Sequence, residues 1–177
     1  MKKRLLASLC VAAAALTACN QKPNEATPSS EKTVATAQTT APSMSTNNNT
    51  DIKNDLNQVQ TLSNSRAQEA IDFQNKATQA AQKGDKATLN SIVTEMKTYI
   101  DKLNTDLDAL ALKSTEVAAI RDKMKESNNL GIELSEASIV DNPDMKKITE
   151  LQNRATALQK ELVAEMQTLQ TKANAAA

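Results

Sequence analysis

The chain has 177 residues, with 21 basic and 21 acidic side chains, no His, no Trp, one Phe and one Tyr. Without His, the sequence excludes Ser/His/Asp and Cys/His nucleophiles, haem with an axial His, the Glu-x-x-His di-iron pattern and His-bound zinc. Two glycines in an Ala-, Leu-, Gln-, Lys- and Glu-rich chain favour long helices, and the balanced charge leaves no basic footprint for nucleic acid.

The N-terminus reads in three parts. Lys2, Lys3 and Arg4 are positive, Leu5 to Leu16 is apolar apart from Ser8, and Leu16-Thr17-Ala18-Cys19 follows. A basic start, a short apolar run and small residues make a secretory signal over residues 1–18. The run is shorter than the ~20 residues that cross a bilayer as a helix. Leu-Thr-Ala-Cys resembles the lipobox of bacterial lipoproteins. The resemblance implies cleavage between Ala18 and Cys19, a diacylglycerol on the Cys19 thiol and acylation of its new amine. Two or three acyl chains hold a protein on a membrane, where one gives only reversible binding. Asn20, rather than Asp, follows Cys19, and in the lipoprotein class this implies the outer membrane. Whether the domain faces the periplasm or the outside stays open.

Processing changes the inventory. Loss of Lys2, Lys3 and Arg4 from the 21 basic residues leaves the mature chain with an excess of three acids. Cys10 leaves with the signal and Cys19 is consumed by lipid, so no disulfide is expected and stability rests on packing.

The lipidated Cys19 and the stretch to Thr50 form a predicted tether. It holds Pro23, Pro28, Pro42, many Thr and Ser, and Asn47-Asn48-Asn49, with Val34 and Met44 its only large apolar residues. Such a segment buries too little to offset its ordering entropy. As a coil it would span about 30 Å, and fully extended roughly 100 Å.

From Asp51 the apolar period becomes helical. The first predicted helix, about 51–83, places Ile52, Leu56, Val59, Leu62, Ala67, Ala70, Phe73 or Ile71, and Ala77 on one face, with Thr50 or Asp51 as its cap. Gly84 supplies a left-handed end and Asp85 caps the next helix. The second, about 86–112, carries Leu89, Ile92, Val93, Met96, Tyr99, Ile100, Leu103, Leu107 and Leu110. Ser114 or Thr115 then caps a third, about 115–140, with Glu116 in its first turn. An unbroken helix over 86–140, giving three long helices, is the alternative; length and capping favour the break. Ser127-Asn128-Asn129 and Gly131 weaken the third helix in its middle. Asn142 as cap and Pro143 at the first helical position open the fourth, about 143–173. Its residues Met145, Ile148, Leu151, Ala155, Leu158, Leu162, Met166 and Leu169 form a near-heptad, coiled-coil-like seam, and Glu150 pairs with Arg154 on the outside. Four helices with short turns predict an all-α, antiparallel, up-down-up-down four-helix bundle.

No residue set argues for catalysis, a cofactor or a metal. Met96, Met124 and Met166 are of the type that binds Cu(I), but at seam positions Met is a gap filler. Asp106, Asp108, Glu161 and Glu165 are the carboxylates that glycan cleavage would need, and their spacing reads as solvated outer-face charge. Phe73 and Tyr99 are expected to pack together or mark a groove. The sequence therefore points to a non-enzymatic, lipid-anchored envelope protein whose bundle meets another protein or plays a structural role. The alternative is a module that takes apolar ligands between helices, as a chaperone would. The membrane, through Cys19, is the partner the residues name, and no protein partner is identified.

Overall fold

The computed structural model describes residues 43–175. Residues 1–42, which hold the expected signal, Cys19 and most of the expected tether, lie outside the described residues. Four helices follow: α1 (Asn49–Lys83), α2 (Lys86–Asp108), α3 (Thr115–Ile139) and α4 (Met145–Asn174). They pack in ring order, each on its chain neighbours and α4 back on α1, with α1 and α3 also meeting across the diagonal. This is the expected antiparallel four-helix bundle. The starts of α1 and α3 and the ends of α2 and α4 share one end, here called proximal because the tether enters there. The α1–α2 and α3–α4 turns form the distal end. Among the described residues, no helix is long and apolar enough to cross a membrane.

The helix boundaries follow capping chemistry, with three departures from the expected positions. First, α1 begins at Asn49, because Asn48 rather than Thr50 or Asp51 accepts the first free N–H groups, those of Thr50 and Asp51. Second, α2 stops at Asp108 instead of running to 112. Leu110 and Leu112 then turn inward from the connecting loop and pack on the core. That break also rules out a continuous helix over 86–140. Third, α4 starts at Met145. The Asp144 carboxylate accepts from the N–H groups of Lys146 and Lys147, so Asp144, not Asn142, is the cap and Pro143 lies in the turn before it. Ser114 is the cap of α3 and Asp85 that of α2. The middle of α3 stays helical through Asn129 and Gly131 despite their propensity, because Ser114 caps its start and its flanks are packed.

The two glycines differ. Gly84 ends α1 at φ +69°, whereas Gly131 lies inside α3 with ordinary helical backbone, and a methyl group at either would meet no atom within 4 Å. Gly84→Ala is therefore expected to cost about 1 kcal/mol from backbone strain alone. Gly131→Ala should stabilise by about 0.5–1 kcal/mol through helix propensity. Urea titration of the two variants reads the opposite signs.

The apolar interior falls into three clusters. The proximal one joins α1, α3 and α4 through Ile52, Leu56, Val59, Val117, Ile120, Met166 and Leu169. A second lies between α3 and α4, with Leu130, Leu134, Ile148, Leu151 and Leu158. The third lies between α1 and α2 around Ala80, Leu89 and Ile92, with Phe73, Ala77 and Ile139 at its edge. Phe73 is the inward residue of its turn, and Ile71 is 48% exposed.

Candidate functional site: the junction of tether and bundle

The tether does not simply end where α1 begins. Ser45 lies beside the α2–α3 loop in a short parallel bridge: its N–H donates to the Lys113 carbonyl at 2.7 Å, and its carbonyl accepts from the Thr115 N–H at 2.9 Å. Thr46 and Thr115 hydroxyls are 3.1 Å apart. Asn47 takes a left-handed backbone, φ 58°, which Asn tolerates better than most residues. Its N–H donates to Glu116 Oε1 at 2.7 Å, and its side-chain oxygen accepts from Lys172 Nζ at 3.0 Å. Residues 45–48 thus tie α1, the loop, α3 and the end of α4 together.

The same loop is held from inside by Asp55, which is fully buried on α1. Its Oδ2 accepts from the N–H groups of Lys113 at 2.7 Å and Ser114 at 2.6 Å, while Gln58 Nε2 donates to Oδ1 at 3.3 Å. A carboxylate is the strongest acceptor available for two backbone donors that must be buried together. Ser114, also buried, is then placed to accept the Val117 N–H and cap α3. Sequence reading found the Ser114 cap but not Asp55, which falls among the core-facing positions of α1. An acid there, one residue before Leu56, was the available signal.

Glu116 sits where the tether and the loop meet. Burial acts to raise its pKa. Hydrogen bonds from the Asn47 N–H, its own N–H and the Thr115 hydroxyl, together with the charge of Lys172, outweigh that and leave it below its ordinary value of 4.5. A depressed carboxylate stabilises the folded junction above its unfolded pKa, and the contribution is lost as pH falls through the folded value. The Asn47 amide signal is therefore expected to titrate in acid below pH 4.5, tracking the Glu116 carboxyl, and to stay constant near neutrality.

A shallow groove of about 520 Å³ runs beside the junction, lined by Asn57, Gln58, Thr61, Leu62, Ser65 and Leu110. It is open to solvent, with Leu62 and Leu110 as its apolar floor.

The other sequence candidates are placed as follows. Asp106 pairs with Arg66; Asp108 with Lys125 at 2.6 Å and Arg121 at 3.9 Å; Glu161 and Glu165 share Lys123. These carboxylates are ion-paired between helices rather than simply solvated, and they fall on three different helix pairs, α1–α2, α2–α3 and α3–α4. Arg154 reaches Glu126 on α3 at 3.8 Å, and Glu150 pairs with Lys146 at 4.0 Å, in place of the expected Glu150–Arg154 pair. Met124 and Met166 both belong to the proximal cluster; Met96 is half-buried on α2, outside it. Phe73 and Tyr99 do pack together, with ring centroids 5.4 Å apart, and the Tyr99 hydroxyl donates to the Arg66 carbonyl at 3.0 Å. Cys19 and Ala18 lie outside the described residues.

No curated protein and no solved structure matches the chain. A family model does match, over residues 53–174, a span that holds α2 and α3 entire and most of α1 and α4, and none of the residues that form the lipobox. The helical domain thus points to the class that the first 19 residues resemble, and the chain belongs to the family described as "Uncharacterised lipoprotein PM1805".

Proposed function

We propose that Cys19 carries the lipid, palmitate among its acyl chains, and that the protein stands on the outer membrane and displays its bundle to a protein partner or as a structural element of the envelope. The observation that carries this reading is the agreement of two separate segments: the lipobox at Leu16–Cys19 and a lipoprotein-family domain at 53–174. The junction adds a mechanical reason. Because residues 45–48 are bonded to the loop and to α4, the point at which the tether leaves the bundle is fixed. The proximal end then faces the anchor, and the α1–α2 and α3–α4 turns are the parts carried furthest from the bilayer. Asn20 after Cys19 supports the outer membrane as the address.

A non-enzymatic role fits the same residues. The carboxylates that chemistry would use are engaged in ion pairs on different helix pairs, and no His is present. The methionines of copper-binding type sit in or beside apolar packing, where Met fills gaps.

Cys19→Ala is expected to abolish incorporation of labelled palmitate and to release the protein from the membrane fraction. Retention of both by the variant would overturn the reading. Protease treatment of intact cells, compared with permeabilised ones, reports which side of the membrane the bundle faces.

A further inference from the structure

We propose that the distal half of the bundle opens as two rigid helical hairpins, α1–α2 parting from α3–α4, hinged on the proximal core. This goes beyond the anchoring role and rests on the described residues alone.

The first observation is how apolar contact is divided. The proximal cluster unites α1, α3 and α4. Further out the clusters separate, one inside the α3–α4 hairpin and one inside the α1–α2 hairpin, with Ile139 the α3 residue that reaches the latter. Most cohesion in a bundle comes from such burial, and the two distal clusters lie mainly within hairpins, with Ile139 linking α3 to the α1–α2 cluster.

The second is what occupies the seam. On α3, residues spaced by four, three and four share a face. Asn128, Ile132, Ser135 and Ile139 form such a ridge, opposite the Leu130–Leu134 face that packs on α4. Asn128 and its neighbour Asn129 are joined to α2 by side-chain hydrogen bonds: Asn128 Nδ2 donates to Asn104 Oδ1 at 2.9 Å, and Asn104 Nδ2 donates to Asn129 Oδ1 at 3.0 Å. Water replaces such neutral bonds at small net cost. The Ser135 hydroxyl donates to its own helix, at the Gly131 carbonyl, 2.7 Å away, so opening leaves it satisfied. Beside it Gly131 faces open space, where an added methyl group would meet nothing within 4 Å. Where the proximal level of α3 has Val117, Ile120 and Met124, this ridge alternates Ile132 and Ile139 with the small or polar Asn128 and Ser135.

The third is the pattern of ion pairs. Glu133–Lys147 and Glu126–Arg154 stay within α3–α4, and Arg66–Asp106 stays within α1–α2. Among the described residues, the ion pairs that cross between hairpins are those of Asp108 with Lys125 at 2.6 Å and Arg121 at 3.9 Å, at the end of α2, and, beyond them, Lys86–Asp141, which joins the two turns and is exposed, with side chains 64% and 89% accessible. Exposed pairs hold weakly.

Thiol labelling under native conditions tests this. Ser135→Cys places a thiol at a position now 0% exposed, on the α3 face that carries Asn128. Val59→Cys lies in the proximal core and Leu158→Cys inside the α3–α4 hairpin. Any labelling at Cys19 adds a phase common to every variant and is subtracted with the parent protein. After correction for each variant's global stability, the Ser135→Cys variant is expected to label at least about tenfold faster than either control, as sub-global openings do. Equal corrected rates at all three positions would overturn the proposal, since access would then require global unfolding. Fast labelling at both Leu158→Cys and Ser135→Cys would overturn it too, because the distal half would then be melting rather than parting as hairpins.

Discussion

Asp55→Ala is expected to destabilise the bundle by about 2–5 kcal/mol, more than its size would suggest. The methyl group leaves the Lys113 and Ser114 N–H groups without their acceptor in a site where Asp55 and Ser114 are both fully buried. Each unsatisfied donor costs about 1–3 kcal/mol. The loss reaches further than the side chain, because Ser114 is the cap of α3 and the loop is also the tether's docking strip. Asp55→Asn keeps one oxygen for the two donors and gives up the negative charge, and Gln58 can rotate its amide to suit the new group. It is expected to cost less, about 1–2 kcal/mol. Equilibrium unfolding in urea measures both. If the two variants proved equally mild, the carboxylate would not be what holds the loop.

The second large effect is expected at Ile120. This side chain is fully buried in the proximal cluster, the one place where α1, α3 and α4 share a core. Ile120→Ala removes three carbon atoms from contact with neighbours on other helices, and is expected to cost about 2–5 kcal/mol, the range for such truncations. Ile71→Ala removes the same atoms from a residue 48% exposed, and is expected to stay within about 0.5 kcal/mol, as exposed positions do. Domains of this size are stable by about 5–15 kcal/mol, so the first variant would lose a large share of its stability and the second almost none. Denaturation midpoints at unchanged slope give the comparison directly. A similar shift in both variants would mean that the proximal cluster is not the principal core.

The two cases differ in how legible they were in the sequence. Ile120 belongs to an evident helical period, and its burial was expected. Asp55 sits on the same kind of period, where an acid breaks the pattern without saying why. Its partners are the backbone N–H groups of Lys113 and Ser114, nearly sixty positions away along the chain. Side-chain spacing carries no information about backbone donors in a distant loop.

The same division runs through the whole molecule. The sequence by itself determined the four helices and their order, the turn at Gly84 and the cap at Asp85, and narrowed the cap of α3 to Ser114 or Thr115 and the fate of Phe73 and Tyr99 to packing together or lining a groove. These depend on period and on residues a few positions apart, where the chain's own geometry sets the distances. The tertiary structure decided where α2 stops, because Leu110 and Leu112 gain more by turning into the proximal core than by extending the helix. It decided that Asp144 rather than Asn142 caps α4, that the carboxylates read as solvated find cations on neighbouring helices, and that residues 45–48 are held against the loop. It also decided that the core divides beyond Met124. The small residues of α3 were visible in the sequence as a weak helical stretch, but that they leave two hairpins cohering separately depends on which helix faces which. That is a property of the packed bundle, because burial is shared between segments that no local spacing connects.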